Sequence, residues 1–190
     1  MTVKAYAALL RGINVGGKKK VPMGELRPLL SGLGFGDVRT HLQSGNAVFT
    51  TAADDAGGED ALAARVSEAI EGHFGFAVDV LVRDGAYLKA VADACPFPAS
   101  ALEGKQLHVT YFSEPVDASR LDGLDRAAFL PEEFRLGDRA LYLYTPDGLG
   151  RSKLGEVLSR PALFKGVIAT SRNWNTVTKL VELTGEPDHG

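Results

Sequence analysis

The sequence lacks three features that would each indicate a class of protein. Its 190 residues contain a single cysteine, Cys95, which excludes an intrachain disulfide framework. No apolar stretch approaches the roughly 20 residues that a membrane-spanning helix requires. The first residues also lack the apolar core of a secretory signal. We therefore expect a cytoplasmic protein with no membrane partner.

An excess of positive charge and a metal-ligand pattern are missing as well. The formal net charge is -3, whereas proteins that coat nucleic acid through bulk charge are strongly basic, so an anion-binding surface would have to be local. The four histidines are His41, His73, His108 and His189. Their spacing fits no metal site, and Cys95 precedes Pro96 in an apolar context that is typical of a buried thiol. We therefore expect neither a metal nor a cofactor.

The hydrophobic residues that are present, 45% of the chain, are enough for one sizeable domain or two small ones. Their spacing in the first half predicts the order β-α-β-β-α-β. The predicted elements are a strand over 4–10, a helix over 23–33, a hairpin of 38–42 and 47–51, a helix over 62–74 and a strand over 78–82. Pro28 lacks an amide hydrogen and is expected to kink the first helix or to split it.

The second half repeats this order after a connecting helix that Asp84 is expected to cap. Here the pattern predicts a strand over 107–112, a helix that begins at Asp117 and carries Leu121 and Leu124, and a hairpin of 134–136 and 141–144. A helix over 154–158, a β-like run over 167–169 and a last helix that opens near Ser171 complete it.

This repeated order is typical of an α+β fold with two βαββαβ subdomains. In such a ferredoxin-like or α/β-plait subdomain, two helices cover one face of an antiparallel four-stranded sheet. The expected organisation is a first plait over 1–83, a helical connector over 84–104, and a second plait with an extra C-terminal helix over 105–190.

Four segments together resemble a bacterial family, domain of unknown function 1697. They are 8–18, ALLRGINVGGK, 38–46, VRTHLQSGN, 150–154, GRSKL, and 171–180, SRNWNTVTKL. The resemblance runs from about Val3 to Leu183 with the segments in the family's order. It implies two ferredoxin-like subdomains, in accord with the element order, but no function and no catalytic residues.

The glycine-rich stretch from Arg11 to Lys20 is the main candidate for a binding site. Glycines allow backbone amides to turn toward an anion, and the lysines add charge. Residues 12–19 come within one position of the nucleotide-binding pattern G-x-x-x-x-G-K-[ST], but Lys19 stands where the hydroxyl belongs and Pro22 delays the helix. A true nucleoside triphosphatase is thus disfavoured. The alternatives are an anion site of another kind and a strand-to-helix turn with solvated lysines.

Two further clusters lie near the C terminus. Residues 148–153 place glycines and two cations at a helix start, where Ser152 is a candidate N-cap. In the predicted last helix, Arg172, Asn175, Thr176 and Lys179 would share one face. The alternatives are a capped helix with solvated charges and an ordinary amphipathic helix. The predicted anion-binding residues are Arg11, Gly12, Asn14, Gly16, Gly17, Lys18, Lys20, Arg151, Lys153, Arg172, Asn175 and Lys179.

Plait geometry sets an expectation for how these clusters combine. We expect loop 12–20 and Gln43–Asn46 at opposite ends of the first sheet, and Gly150–Lys153 and Arg172–Asn175 at opposite ends of the second. One site could then collect several clusters only where the two halves meet, with loop 12–20 facing at least one C-terminal cluster.

The leading interpretation is a binding module that holds a phosphorylated small molecule or a nucleic acid segment. The alternatives are an enzyme that acts on a phosphorylated metabolite, with these residues stabilising negative charge, and a protein–protein interaction module whose lysines are solvated. The sequence identifies neither the substrate nor the oligomeric state.

Overall fold

The structure is a computed structural model that describes residues 3–41, 45–52 and 57–185. The chain divides into two compact units, Met1–Leu88 with Leu180–Gly190, and Lys89–Lys179. Each unit contains one four-stranded antiparallel sheet.

The first unit has the element order that the sequence predicts. Its elements are β1 (Val3–Leu10), α1 (Met23–Ser31), β2 (Gly36–His41), β3 (Asn46–Ala52), α2 (Gly58–Phe74) and β4 (Val80–Asp84). The sheet order is β2-β3-β1-β4, which places the first strand in the middle. The helices cover the face that carries Tyr6, Ala8 and Leu10, and these side chains form a core with Leu26 and Val66. Pro28 lies inside α1, which runs as one helix, so the expected split does not occur.

The second unit repeats this topology. The α-helices and strands that follow β4 in the chain are α3 (Gly85–Asp93), β5 (Leu107–Phe112), β6 (Glu133–Gly137), β7 (Ala140–Tyr144), α4 (Lys153–Leu158), β8 (Ala169–Asn173) and α5 (Trp174–Thr184). The sheet order β6-β7-β5-β8 again places the first strand of the unit in the middle. The fold class is therefore confirmed: the chain is α+β, with two βαββαβ-like units and a helix after each.

One predicted helix of the second unit is wrong. The segment after Asp117 forms two short 3₁₀ turns, Ala118–Leu121 and Arg126–Phe129. The carboxylate of Asp117 does accept the amide of Ser119 at 2.9 Å. Capping chemistry therefore marks the start of the turn correctly, but the segment continues as separate 3₁₀ turns.

The last helix begins three residues later than predicted. β8 covers Ala169–Asn173, and α5 starts at Trp174. Arg172 therefore lies in a strand and does not share a helix face with Asn175 and Lys179.

In the first sheet, the β1 loop and the β2–β3 hairpin leave the same end. Leu9 pairs with Asn46, and the Leu10 amide donates to the Gly45 carbonyl at 2.9 Å. The expected separation of loop 12–20 from the hairpin is therefore wrong for Gly45 and Asn46, and Gln43 lies outside the described residues. Because β2 and β1 are each antiparallel to β3, they end at the same side.

The second sheet corrects the matching expectation for the C-terminal clusters. β7 and β8 are both antiparallel to β5, so Tyr144 pairs with Leu107 and Asn173 pairs with His108. The segments that follow these two strands therefore leave the same end of the sheet. The prediction that 150–153 and 172–175 lie at opposite ends is wrong.

Candidate functional site

The glycine-rich stretch folds into a small β-hairpin. Val15 and Lys18 form an antiparallel bridge, and the Lys18 amide donates to the Val15 carbonyl at 3.1 Å. Gly16 and Gly17 have φ angles of 61° and 75°, the signs that a type I′ turn requires at both central positions. The glycines therefore serve the turn itself. A Cβ added to either glycine would meet no atom within 4 Å, so the tip stands clear of the rest of the protein.

Asn14 fixes the base of this hairpin. Its side-chain amide accepts the Val21 amide at 2.8 Å and donates to the Val21 carbonyl at 3.0 Å. Its backbone amide donates to the Lys19 carbonyl at 3.0 Å. Asn14 was predicted to contact an anion, but these bonds engage it structurally. The Asn14 backbone amide therefore has a partner within the loop as well.

The charged groups of the hairpin point outward. Lys18, Lys19 and Lys20 are all exposed, and among the described residues none has a carboxylate within 4 Å. Arg11 lies 3.7 Å from Asp79 in an exposed ion pair. Val15 at the tip is 67% exposed, which is unusual for a large apolar side chain in this protein. The tip therefore combines three unpaired cations with one exposed apolar group.

The β2–β3 hairpin lies beside this loop. Gly45, with a φ of 101°, packs against Leu10 and Ile13, and an added Cβ would lie 2.8 Å from the Ile13 side chain. Asn46 is fully buried and donates its side-chain amide to the His41 carbonyl at 2.9 Å. Asn46 thus closes the hairpin from its first strand position, and Gly45 before it takes the left-handed conformation.

The 148–153 cluster is a capped helix start. Ser152 Oγ accepts the Gly155 amide at 2.7 Å, as predicted for an N-cap, and donates to the carboxylate of Glu132. Arg151 and Lys153 are exposed on either side of it. Because α4 has only six residues, its dipole is small and opposes the two exposed cations only weakly.

Arg172 is buried in the second sheet, contrary to its predicted place on a solvated helix face. Only 8% of its surface is exposed, and one guanidinium nitrogen donates to Thr170 Oγ1 at 2.6 Å and to the Ser171 carbonyl at 2.9 Å. Burial lowers the pKa of Arg172 to about 10, although Tyr111 opposes this shift. These two acceptors, Thr170 and Ser171, lie in the same strand as Arg172.

The other residues that were predicted to share this helix face differ in how far they are exposed. Thr176 is buried, whereas Asn175 is exposed and its side-chain amide lies directly over Gly104. Lys179 is half-buried on α5. Of the predicted C-terminal residues, Arg151, Lys153 and Asn175 are therefore exposed.

The family assignment follows from a match over most of the chain. The model of a family described as protein of unknown function, DUF1697, matches residues 3–142. The chain belongs to the DUF1697 family. The 8–18 and 38–46 segments lie inside the match, and the described residues Leu10 and Gly45 of these segments meet at one end of the first sheet. The segments at 150–154 and 171–180 lie beyond it.

A solved structure shows the same fold. The conserved bacterial protein SP0830 from Streptococcus pneumoniae aligns with a TM-score of 0.74 and 24% sequence identity, over 96% of this chain and 99% of that chain. At this identity the likeness concerns the fold alone. No curated protein matches the sequence.

Within this DUF1697 fold, a residue-level repeat emerges that sequence reasoning missed. Each sheet's last strand ends in a buried arginine followed by a capping residue, Arg83-Asp84 in β4 and Arg172-Asn173 in β8. Both arginines donate to the carbonyl of the preceding residue. Asp84 and Asn173 then accept the amide of the third residue after them, at 2.8 and 3.0 Å. The shared signal is short, an arginine followed by aspartate or asparagine.

The described residues show neither a cluster that could hold a metal ion nor a helix that could span a membrane. Within 3–41, 45–52 and 57–185, no three carboxylate, histidine or cysteine side chains come together as a metal site. No helix in the described part of the chain is long and apolar enough to cross a membrane. Cys95 is half-buried, and burial raises the pKa of its thiol.

Proposed function

We propose that this protein is a nucleic-acid-binding module whose hairpin, residues 11–20, holds backbone phosphates. The observation that carries this proposal is the run Lys18, Lys19 and Lys20, exposed on an ordered hairpin and unpaired among the described residues. Phosphate contacts from lysine supply most of the affinity of sequence-independent binding. The hairpin brings three such contacts at little cost in chain entropy, because its turn and base are already fixed.

The shape of the hairpin favours a polymer over a small phosphorylated molecule. Sites for small ligands are concave and enclose most of the ligand. Here the tip is convex, since Gly16, Gly17 and the lysines are exposed and nothing lies within 4 Å of the positions above the glycines. A projecting basic tip suits a groove or an extended phosphate backbone. Exposed Val15 adds an apolar contact for a base or sugar.

The remaining predicted contributors stay part of this proposal. Arg151, Lys153, Asn175 and Lys179 are proposed as second contacts to the same polymer, and a cytoplasmic location is proposed with them. Because the net charge is -3, we expect modest affinity that depends strongly on salt.

Fluorescence anisotropy with labelled single-stranded and duplex oligonucleotides tests the proposal. The triple variant K18Q/K19Q/K20Q should bind more weakly and should reduce the log–log salt slope by about 2 for single strands, since each phosphate contact contributes about 0.7. The control K89Q/K105Q/K165Q removes the same charge from exposed lysines of the second unit and should leave the slope unchanged.

Competition distinguishes the ligand classes. Inorganic triphosphate should displace the oligonucleotide only at concentrations that act as added salt. Displacement at low triphosphate concentration would favour a small phosphorylated ligand. Equal losses in the two triple variants, or a flat response to salt, would contradict binding through this hairpin.

A further inference from the structure

A cavity in the second unit, unrelated to the basic hairpin, carries groups of both charges. It has a volume of about 270 Å³ and lies beside the start of the edge strand β6. Its walls include Arg126 and Arg135, Glu132 and Glu133, and the apolar side chains of Leu130 and Leu154. None of these residues was a candidate from the sequence.

The two arginines converge on one point of this cavity. Arg126 and Arg135 both donate to the carbonyl oxygen of Phe134, at 3.4 and 2.9 Å. The Arg126 guanidinium also lies 4.1 Å from the centre of the Phe134 ring, which holds it in place. Among the residues that the structure describes, no carboxylate lies within 4 Å of Arg126. The two guanidiniums concentrate positive charge at this point, and their planar forks suit a carboxylate.

The two glutamates place negative charge on the same cavity. Glu132 accepts the hydroxyl of Ser152 through one oxygen, which fixes the orientation of its carboxylate. Glu133 lies 3.7 Å from Arg135, beyond hydrogen-bond distance, so it retains acceptor capacity for a cationic group. These carboxylates would repel a phosphate dianion. The cavity is therefore balanced in charge and suits a ligand that carries both signs.

The apolar wall supplies the third feature. Leu130 is 60% exposed, although large apolar side chains of this protein are mostly buried, and Leu154 adds a buried apolar surface. We infer that this cavity binds a zwitterionic α-amino acid with an apolar side chain. Its carboxylate would meet Arg126 and Arg135, its ammonium group Glu133 and Glu132, and its side chain Leu130 and Leu154.

Calorimetry and thermal shift with L-leucine and its derivatives test this inference. L-Leucine should bind at least about tenfold more tightly than L-leucinamide, which lacks the carboxylate, and than isocaproate, which lacks the ammonium group. R126Q should remove the preference for leucine over leucinamide, and R126K should keep part of it because the charge remains. E133Q should remove the preference for leucine over isocaproate.

The control is R160Q, which removes the same charge from an exposed arginine outside the cavity and should leave the ranking intact. Since each variant is judged by the ranking of its own ligands, a change in stability does not imitate the result. The inference is overturned if wild type binds none of these compounds, ranks leucinamide with leucine, or prefers inorganic phosphate. A loss of ranking in R160Q equal to that in R126Q would overturn it as well.

Discussion

His108 lies at the start of β5 with 7% of its surface exposed. Among the described residues its Nδ1 atom has no hydrogen-bond partner. Burial penalises the charged imidazolium and therefore lowers the pKa of His108 below its ordinary value of 6.5. The folded protein thus holds this side chain neutral at a pH where the unfolded chain already binds a proton.

This difference predicts that His108 destabilises the protein in acid. Below about pH 6.5 the unfolded state binds more protons, so the free energy of unfolding should fall as pH decreases, by at most about 1.4 kcal/mol per pH unit for this group. Urea unfolding of wild type and H108Q between neutral and mildly acidic pH measures the effect. H108Q should lose less stability than wild type over that range.

The exposed His73, which lies 3.6 Å from Glu25, provides the control. H73Q should keep the acid-dependent loss that H108Q removes. Identical pH profiles for the two variants would show that burial of His108 does not contribute.

For the glycine loop, residue types alone predict a turn but not which kind of turn forms. The glycines of this loop were expected either to turn backbone amides toward an anion or to form a strand-to-helix turn, and in the structure Gly16 and Gly17 have positive φ angles. An anion-binding nest and a type I′ hairpin both require such angles, so composition does not separate the two. The Val15–Lys18 bridge and the hydrogen bonds between Asn14 and Val21 show that the loop is a hairpin. These contacts depend on where Val21 lies in the fold.

At the scale of elements, the caps of α3 and α5 are equivalent. Asp84 and Asn173 each follow a buried arginine and accept an amide in the first turn of the next helix. Asp84 has further roles, since it pairs with Lys4 at 2.9 Å. Asn173 has the simpler surroundings and is the better position for a test.

We expect N173A to lower the free energy of unfolding by about 1 kcal/mol, because the Thr176 amide loses its acceptor. N173D should retain most of the wild-type stability, since a carboxylate accepts the same bond and complements the helix dipole. Urea unfolding at neutral pH compares the three proteins. Equal stability of N173A and wild type would show that the cap is unimportant, and a loss in N173D as large as in N173A would contradict the equivalence with Asp84.

Elements were predictable where the apolar pattern was unambiguous. The strand over Leu107–Phe112 has the predicted bounds, and Ser152 caps α4 as expected. The start of α5 was misplaced because Ser171 and Arg172 are polar and extend a helical pattern backwards from Trp174. They are strand residues because Ser171 pairs with Thr110 and Arg172 with Val109 of β5, where Arg172 is also buried. Burial of a charged side chain is a tertiary property, which local spacing does not encode.

At the scale of the whole molecule, strand direction determines which loops meet. The element order was predicted correctly, but the ends of each sheet were predicted wrongly. In each sheet the second and third strands form an antiparallel hairpin, so the second strand ends at the same side as the first. With that pairing, the loop after Leu10 lies beside Gly45 in the first unit. In the second unit, the loop after Tyr144 and helix α5 leave the same end. In each unit, two of the segments that resemble the family therefore lie at one end of its sheet. The predicted pairing of loop 12–20 with a C-terminal cluster stays a prediction.

The last turn of α5, residues 180–184, belongs to the first unit and contacts the start of α3. Thr184, in the last turn of α5, is 5% exposed and donates to the Leu180 carbonyl at 2.6 Å. The Leu183 carbonyl accepts a bond from Arg39 at 3.1 Å. At Gly85, the first residue of α3, an added Cβ would lie 3.1 Å from Thr184 Cβ and still closer to the Thr184 carbonyl oxygen. Two segments far apart in sequence thus meet where only glycine fits.

G85A should therefore lower the free energy of unfolding by about 1–3 kcal/mol, since the backbone of α5 must shift to accept the methyl group. The matched control is G72A. Gly72 lies inside α2, where an added Cβ meets nothing within 4 Å, so alanine should raise stability by about 0.5–1 kcal/mol through its helix propensity. Urea unfolding of the full chain measures both. Opposite signs would establish that residues 180–184 contribute to the first unit in solution, whereas a gain in both variants would show that α5 does not press on Gly85.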